Sequence, residues 1–293
     1  MHLRVWLLVL VFSTVITAQI PRFLPRVDRG TIDTALLPEV SGAAFSSANP
    51  GIIWVHNDSG GGNFLYGISS RTAEVVAVYR IGGVSILDWE DTSCGPGPES
   101  GISYIYIGDF GDNERKRHVK HIIRVKEPVI QQGSSSGPVL LHDTHTISFM
   151  YPDGYHDAET LLLDPLSGDM YIVTKSPGTS LIYRLPADTP VNAVYAAQRC
   201  CSLDLPQATG GSVSADGARI LIKNYFSLFY WDRDPDRSFA SAFDAPPQLL
   251  PYIPEPQGEA VCWNREGNGF FTLSEQKGPL PVHLFYYPPK QYE

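Results

Sequence analysis

Carboxylates recur in this chain at places that repeat. One set reads Pro38-Glu39-Val40-Ser41-Gly42, Asp88-Trp89-Glu90-Asp91, His156-Asp157-Ala158-Glu159 and Gln257-Gly258-Glu259-Ala260, with Thr209-Gly210-Gly211-Ser212 as a small polar counterpart. A second set follows each of these: His56-Asn57-Asp58-Ser59-Gly60, Gly108-Asp109-Phe110-Gly111-Asp112-Asn113, Thr174-Lys175, Lys223-Asn224-Tyr225 and Ser274-Glu275. The same 16-residue spacing separates Glu159 from Lys175 and Glu259 from Glu275, which puts the two sets in a common register. Acids gathered in one place cannot all ionise unaided, because like charges and burial both raise their pKa values. Protons, a cationic side chain such as Lys175, or a metal would relieve them. A hard divalent cation relieves several at once, and calcium takes six to eight oxygen ligands. The expected ligands are Glu39, Asp58, Asp88, Glu90, Asp109, Asp157, Glu159 and Glu259, with Asp112, His156, Lys175, Asn224 and Glu275 beside them. A plainer reading is that these acids cap strand ends and tight turns, as Asp and Asn do.

The elements that must carry these residues are short. Ile52–Val55, Tyr104–Ile107, Met170–Val173, Arg219–Ile222 and Gly269–Thr272 are rich in β-branched and aromatic residues and too short for helices, so they read as buried strands. Each is preceded by a turn signal, such as Asn49-Pro50-Gly51 or Asp216-Gly217, and followed by another strand-like run, such as Phe64–Gly67 or Leu228–Trp231. A repeat of strand, turn, strand, loop, strand is the sequence appearance of a propeller blade. The expected fold is all-β, a β-propeller of five blades, with six as the alternative if Val125–Tyr151 hides another; Gln131–Pro138 reads as a surface loop. The strand candidate Val27–Ile32 is the missing outer strand of the last blade. Adjacent hairpin strands run antiparallel, so both acidic sets meet at one mouth of the central channel.

Residues 1–19 read as a secretory signal peptide: Arg4, an apolar run from Val5, and Thr17-Ala18-Gln19 for cleavage. Residues 20–293 then form one secreted, extracellular propeller domain, with no membrane span in the mature chain. The net charge of −9 excludes nucleic acid as a partner and leaves a small molecule, a metal or an extracellular ligand. An oxidising compartment makes Cys94, Cys200, Cys201 and Cys262 disulfide candidates with three connectivities open. Asn57-Asp58-Ser59 is a glycosylation sequon, in competition with a site at Asp58. Arg115-Lys116-Arg117 reads as a solvated loop. No GxSxG elbow supports a serine hydrolase.

The His-Asn-Asp-Ser-Gly, Asp-Trp-Glu-Asp, Gly-Asp-Phe-Gly-Asp-Asn and Asp-Ala-Glu motifs together resemble a group of secreted propeller proteins, over nearly all of the mature chain. The layout is also similar, in architecture alone, to calcium-dependent lactonase-like and phytase-like propellers, which carry the metal in the central channel. That resemblance implies calcium but transfers no ligand residue by residue. Two functions are therefore expected: a metal-binding extracellular or matrix component, of a mineralised matrix for instance, or a metal-dependent hydrolase with His156 or one of the acids as general base.

Overall fold

The computed structural model describes residues 23–85, 87–131 and 137–290. The signal-peptide reading of residues 1–19 lies outside them, as does most of the Gln131–Pro138 loop.

Among the described residues, twenty-two strands form five sheets, antiparallel except for one short parallel strand on each of two of them, and the single short helix is a 3-10 turn at Phe239–Asp244. Blade I comprises Val40–Phe45, Ile52–Asn57, Phe64–Ser69 and Val75–Ile81. Blade II comprises Trp89–Pro96, Ser103–Asp109, Lys120–Lys126 and Thr144–Met150. Blade III is Ala158–Leu163, Met170–Thr174, Ser180–Leu185 and Gln198–Leu203, and blade IV is Gly210–Val213, Arg219–Lys223, Leu228–Asp232 and Gln248–Leu249. Blade V takes three strands from the end of the chain, Gly258–Trp263, Phe270–Ser274 and His283–Tyr287, and its outer strand from the beginning, Val27–Thr31. Val27 pairs with Tyr286, so the last blade closes the ring as the sequence predicts.

The first strands of the blades touch in cyclic order, V against I and onward to IV against V, and line the channel. Each of the five interfaces between blades holds its own apolar cluster. Between I and II, for example, Trp54, Leu65, Trp89, Ile105 and Ile107 are buried together. Alternation along the strands explains this. Each sheet has two faces, and in a ring both are covered by neighbours, so the middle strands are apolar on both sides.

The longer stretch between Val125 and Tyr151 is not a sixth blade. Thr144–Met150 is the fourth strand of blade II, and Val139–Leu141 lies parallel to Val75–Ile81 as a fifth strand on blade I. Val194–Ala196 straps blade II in the same way.

The four cysteines are free thiols, contrary to the expected bridging. Cys94 and Cys262 lie on the inner strands of blades II and V, while Cys200 and Cys201 lie on the outer strand of blade III. The ladder slips at this point of the strand, and Cys200 and Cys201 both pack against the apolar cluster between blades III and IV. Burial pushes the Cys94 thiol up to about 12, and it contacts Ser103 and Glu127 instead.

Candidate functional site

A repeated irregularity at the start of the inner strands builds the site. The antiparallel ladder slips between Val40 and Gly42, between Trp89 and Thr92, between Ala158 and Thr160, and between Gly258 and Ala260. The residues inside these bulges are Ser41, Glu90 with Asp91, Glu159, and Glu259. A bulge re-aims a side chain out of the pleat. Blade IV has an unbroken ladder there, Gly210 against Lys223 and Gly211 against Ile222, and carries no acid. The register inferred from the 16-residue spacing holds: Asp58, Lys175 and Glu275 donate the same backbone hydrogen bond, to the carbonyls of Glu39, Asp157 and Gln257.

Two overlapping triads result. Asp58, Asp88 and Glu90 offer carboxylate oxygens within 4.8 Å of one another, and so do Glu90, Asp157 and Glu159. Glu90, Asp157 and Glu159 are buried, while Asp58 and Asp88 are half-buried on the solvent side. Glu159 binds Lys175 through Oε1, and its Oε2, although buried, has no hydrogen-bond partner. Lys175 also donates to the Tyr225 hydroxyl at 3.0 Å, which donates to Glu259 at 2.9 Å. The Gly111 backbone packs directly against the first triad. A Cβ there would come within 1.9 Å of Glu90 Oε1 and 2.5 Å of Asp88 Oδ2.

The electrostatics follow from burial and crowding. Burial, then the field of Glu159 and the other acids, raises the Glu90 carboxyl well above its ordinary range. Glu159 is raised likewise, by burial and then Glu259, with Lys175 opposing. Burial and Asp58 push Asp88 up to about 6, and burial and Glu259 push Glu275 up to about 8. Asp58 is also raised, chiefly by burial. Burial opposes the charge on Lys175, but Glu159 and Tyr225 outweigh it and hold the amine above the usual lysine range.

Other expected residues stand elsewhere. Asp109 accepts from the Leu87 and Asp88 amides and from Arg117 at 2.9 Å. Asp112 is held by Lys120 and by the amides of Lys116 and Arg117, and its own amide donates to Asp157. Both carboxylates are thus committed to organising the loop. Glu39 is exposed. Asn224 closes the turn that presents Tyr225, accepting from the Phe226 and Ser227 amides. His156 bonds Asp153 and Tyr183, contacts that occupy the ring the sequence reading had offered as general base. Asn57 is buried, its amide bonded to the Glu39 N–H and the Leu36 carbonyl, so the folded chain has no room for a glycan on it.

Four participants escape the sequence reading. Arg117, taken as part of a solvated run, donates to the Gly111 and Asp109 carbonyls and braces the loop over the triads. Tyr225 links Lys175 to Glu259. Lys223 is fully buried, donates to the Gly258 carbonyl and is depressed to about 8 by burial. Asp91, also fully buried, accepts from the amides of Thr92, Leu161 and Gly211, tying the inner strands of blades II, III and IV together. Only the second glycine of Gly-Asp-Phe-Gly-Asp-Asn and the last acid of Asp-Trp-Glu-Asp signal this in the sequence.

The molecule is thus a five-bladed β-propeller with a largely buried acidic cluster at one mouth of its channel. No family model and no curated protein matches the chain. Among solved structures it is similar to a Dos1 propeller, at 10% identity and a TM-score of 0.40, covering 87% of this chain and 69% of that one. It is also similar to a chain of a nidogen/laminin complex, at 12% identity and a TM-score of 0.47, covering 80% of this chain and 72% of that one. These likenesses concern the propeller fold alone.

Proposed function

We propose that this propeller holds a hard divalent cation, calcium foremost, at the acidic mouth, and serves as an extracellular binding component, in a mineralised or other matrix. One observation carries the reading. Glu90 is shared by two carboxylate triads, and Glu159, a member of the second, keeps a buried oxygen with no hydrogen-bond partner. Five all-oxygen donors match calcium better than zinc, which prefers nitrogen and sulfur. Lys175 is the one amine bonded to these acids among the described residues, and it offsets a single charge. Extracellular placement rests on the signal-like residues 1–19, and the absence of a nucleic-acid role on the charge of −9. Calorimetric titration of chelator-treated protein with calcium tests the site; no heat at millimolar calcium would overturn it.

A second reading, hydrolysis at the same cation, has a specific observation in its favour. Asp58 and Asp88 are half-buried, so the cation would face solvent on one side and could carry a water there. Calcium-dependent turnover of ester, lactone or phosphoester substrates, abolished by Glu90→Gln, would select it over binding alone.

A further inference from the structure

The opposite face of the ring carries a pocket of the opposite charge. It measures about 500 Å³ and lies where blades V and I meet, walled by Arg29, Arg71, Arg265, Phe45, Phe271 and Tyr286. Its parts come from the far ends of the strands that begin at the acidic mouth: the hairpin Pro50-Gly51, the turn at Ser70-Arg71, the hairpin at Arg265-Glu266, and the closing strand Val27–Thr31. The volume is that of a small-molecule site.

The lining has two chemistries. Phe45, Phe271 and Tyr286 form a continuous aromatic ladder, with ring centroids 6.1 Å apart for Phe45–Phe271 and 4.6 Å for Phe271–Tyr286. The Arg29 guanidinium continues the ladder, 4.8 Å from the centre of the Tyr286 ring, and its Nε has no hydrogen-bond partner. Arg71 and Arg265 are exposed at the rim. None of the three arginines pairs with a carboxylate among the described residues, whereas arginines elsewhere on this acidic protein do, Arg184 with Asp169 and Arg219 with Asp216. Glu266 is the one acid in the lining. Phe45, Asn264 and Arg265 also border a cavity of about 220 Å³ at the channel's end, which extends the space available.

We infer that this pocket binds a phosphate or sulfate monoester with an organic ring. The guanidinium fork matches a tetrahedral oxyanion bidentately, and a flat ring can stack on the aromatic ladder beside it. The acidic mouth cannot take this ligand without a cation, so the two faces would recognise different partners.

Calorimetric titration with nitrophenyl phosphate, nitrophenyl sulfate and neutral nitrophenyl glucoside tests the inference. It is run in chelator, so that no cation at the acidic mouth can hold the ester. Either charged ester should bind, the preferred one naming the ligand's oxyanion, and the glucoside should not. Arg71→Gln with Arg265→Gln should weaken binding at least tenfold with the melting temperature unchanged, since both side chains are exposed. Glu266→Gln should tighten it several-fold. Equal binding of the glucoside, no binding of either ester at millimolar concentration, or full affinity in the double variant would overturn the inference. None of these results depends on calcium.

Discussion

Glu90 and Glu159 occupy the same bulge in neighbouring blades, and their carboxylate oxygens approach within 4.8 Å of each other although the residues lie far apart in the chain. Two buried acids so close cannot both be charged at low cost. The fold therefore stores a repulsion at the mouth that a proton or a cation relieves.

Without metal, stability should fall as pH rises. Asp88 titrates at about 6 in the fold against 3.8 when free, and Glu275 at about 8 against 4.5. Groups raised in the fold contribute fully below their unfolded values and lose that contribution as pH climbs through the folded ones. Burial lowers His56 to about 4 and so works in the opposite sense up to its free value of 6.5, which leaves the melting temperature of chelated protein to decline most clearly between about pH 6.5 and pH 8. Asp112 and Asp153, which are lowered in the fold, act only on the acid side of this window. Saturating calcium should flatten the decline. A melting temperature that rises across the window in chelator would contradict the arrangement.

Glu90→Gln removes one charge from both triads while keeping the side chain's shape. In chelator at pH 8 it should raise the melting temperature by about 2–4 °C, the shift expected for roughly 1 kcal/mol in a chain of this size. In calcium the same variant should melt below the wild type. Differential scanning calorimetry in the two buffers reads both signs.

Gly111→Ala leaves every charge in place and puts a methyl group against Glu90 Oε1 and Asp88 Oδ2. Calcium affinity should fall at least tenfold, while chelated protein keeps its melting temperature within a few degrees. Unchanged affinity would mean that the cation lies away from the first triad.

Asp91→Asn tests the scaffold beneath the site. The carboxylate serves the Leu161 and Gly211 amides through a single oxygen. An asparagine turned the wrong way would leave buried donors unpaired, at a cost of about 2 kcal/mol. Urea unfolding should report that loss, with calcium affinity falling as the inner strands loosen.

Much of this was legible in the residues. The strand, turn, strand repeat defined five blades, and Val27–Ile32 was recognisable as a strand without a partner nearby. The 16-residue spacing of Glu159 to Lys175 and Glu259 to Glu275 set the true register, because in each pair the first residue sits in the bulge just inside the first rung of the antiparallel ladder and the second lies one residue outside it. What stayed hidden depends on the path of loops and on contacts between blades. Asp109 and Asp112 look like ligands beside Asp88, yet Arg117 and Lys120 are folded back onto them by a loop whose path no local pattern reveals. Asn57 matches a sequon but lies inside, since a three-residue motif carries no information about burial. The cysteines suggested bridges because compartment and number were visible, whereas the blade each would occupy was not. Tyr225 was passed over as one aromatic among many.

Calcium titration of the chelated wild type beside Glu90→Gln, by calorimetry, tests the central claim most directly. The account predicts saturable binding to the wild type, with a higher melting temperature once saturated, and at least tenfold weaker binding to the variant. Absence of calcium binding to the wild type, or equal binding to both proteins, would contradict it and leave the acids as a pH-sensitive seam between the blades.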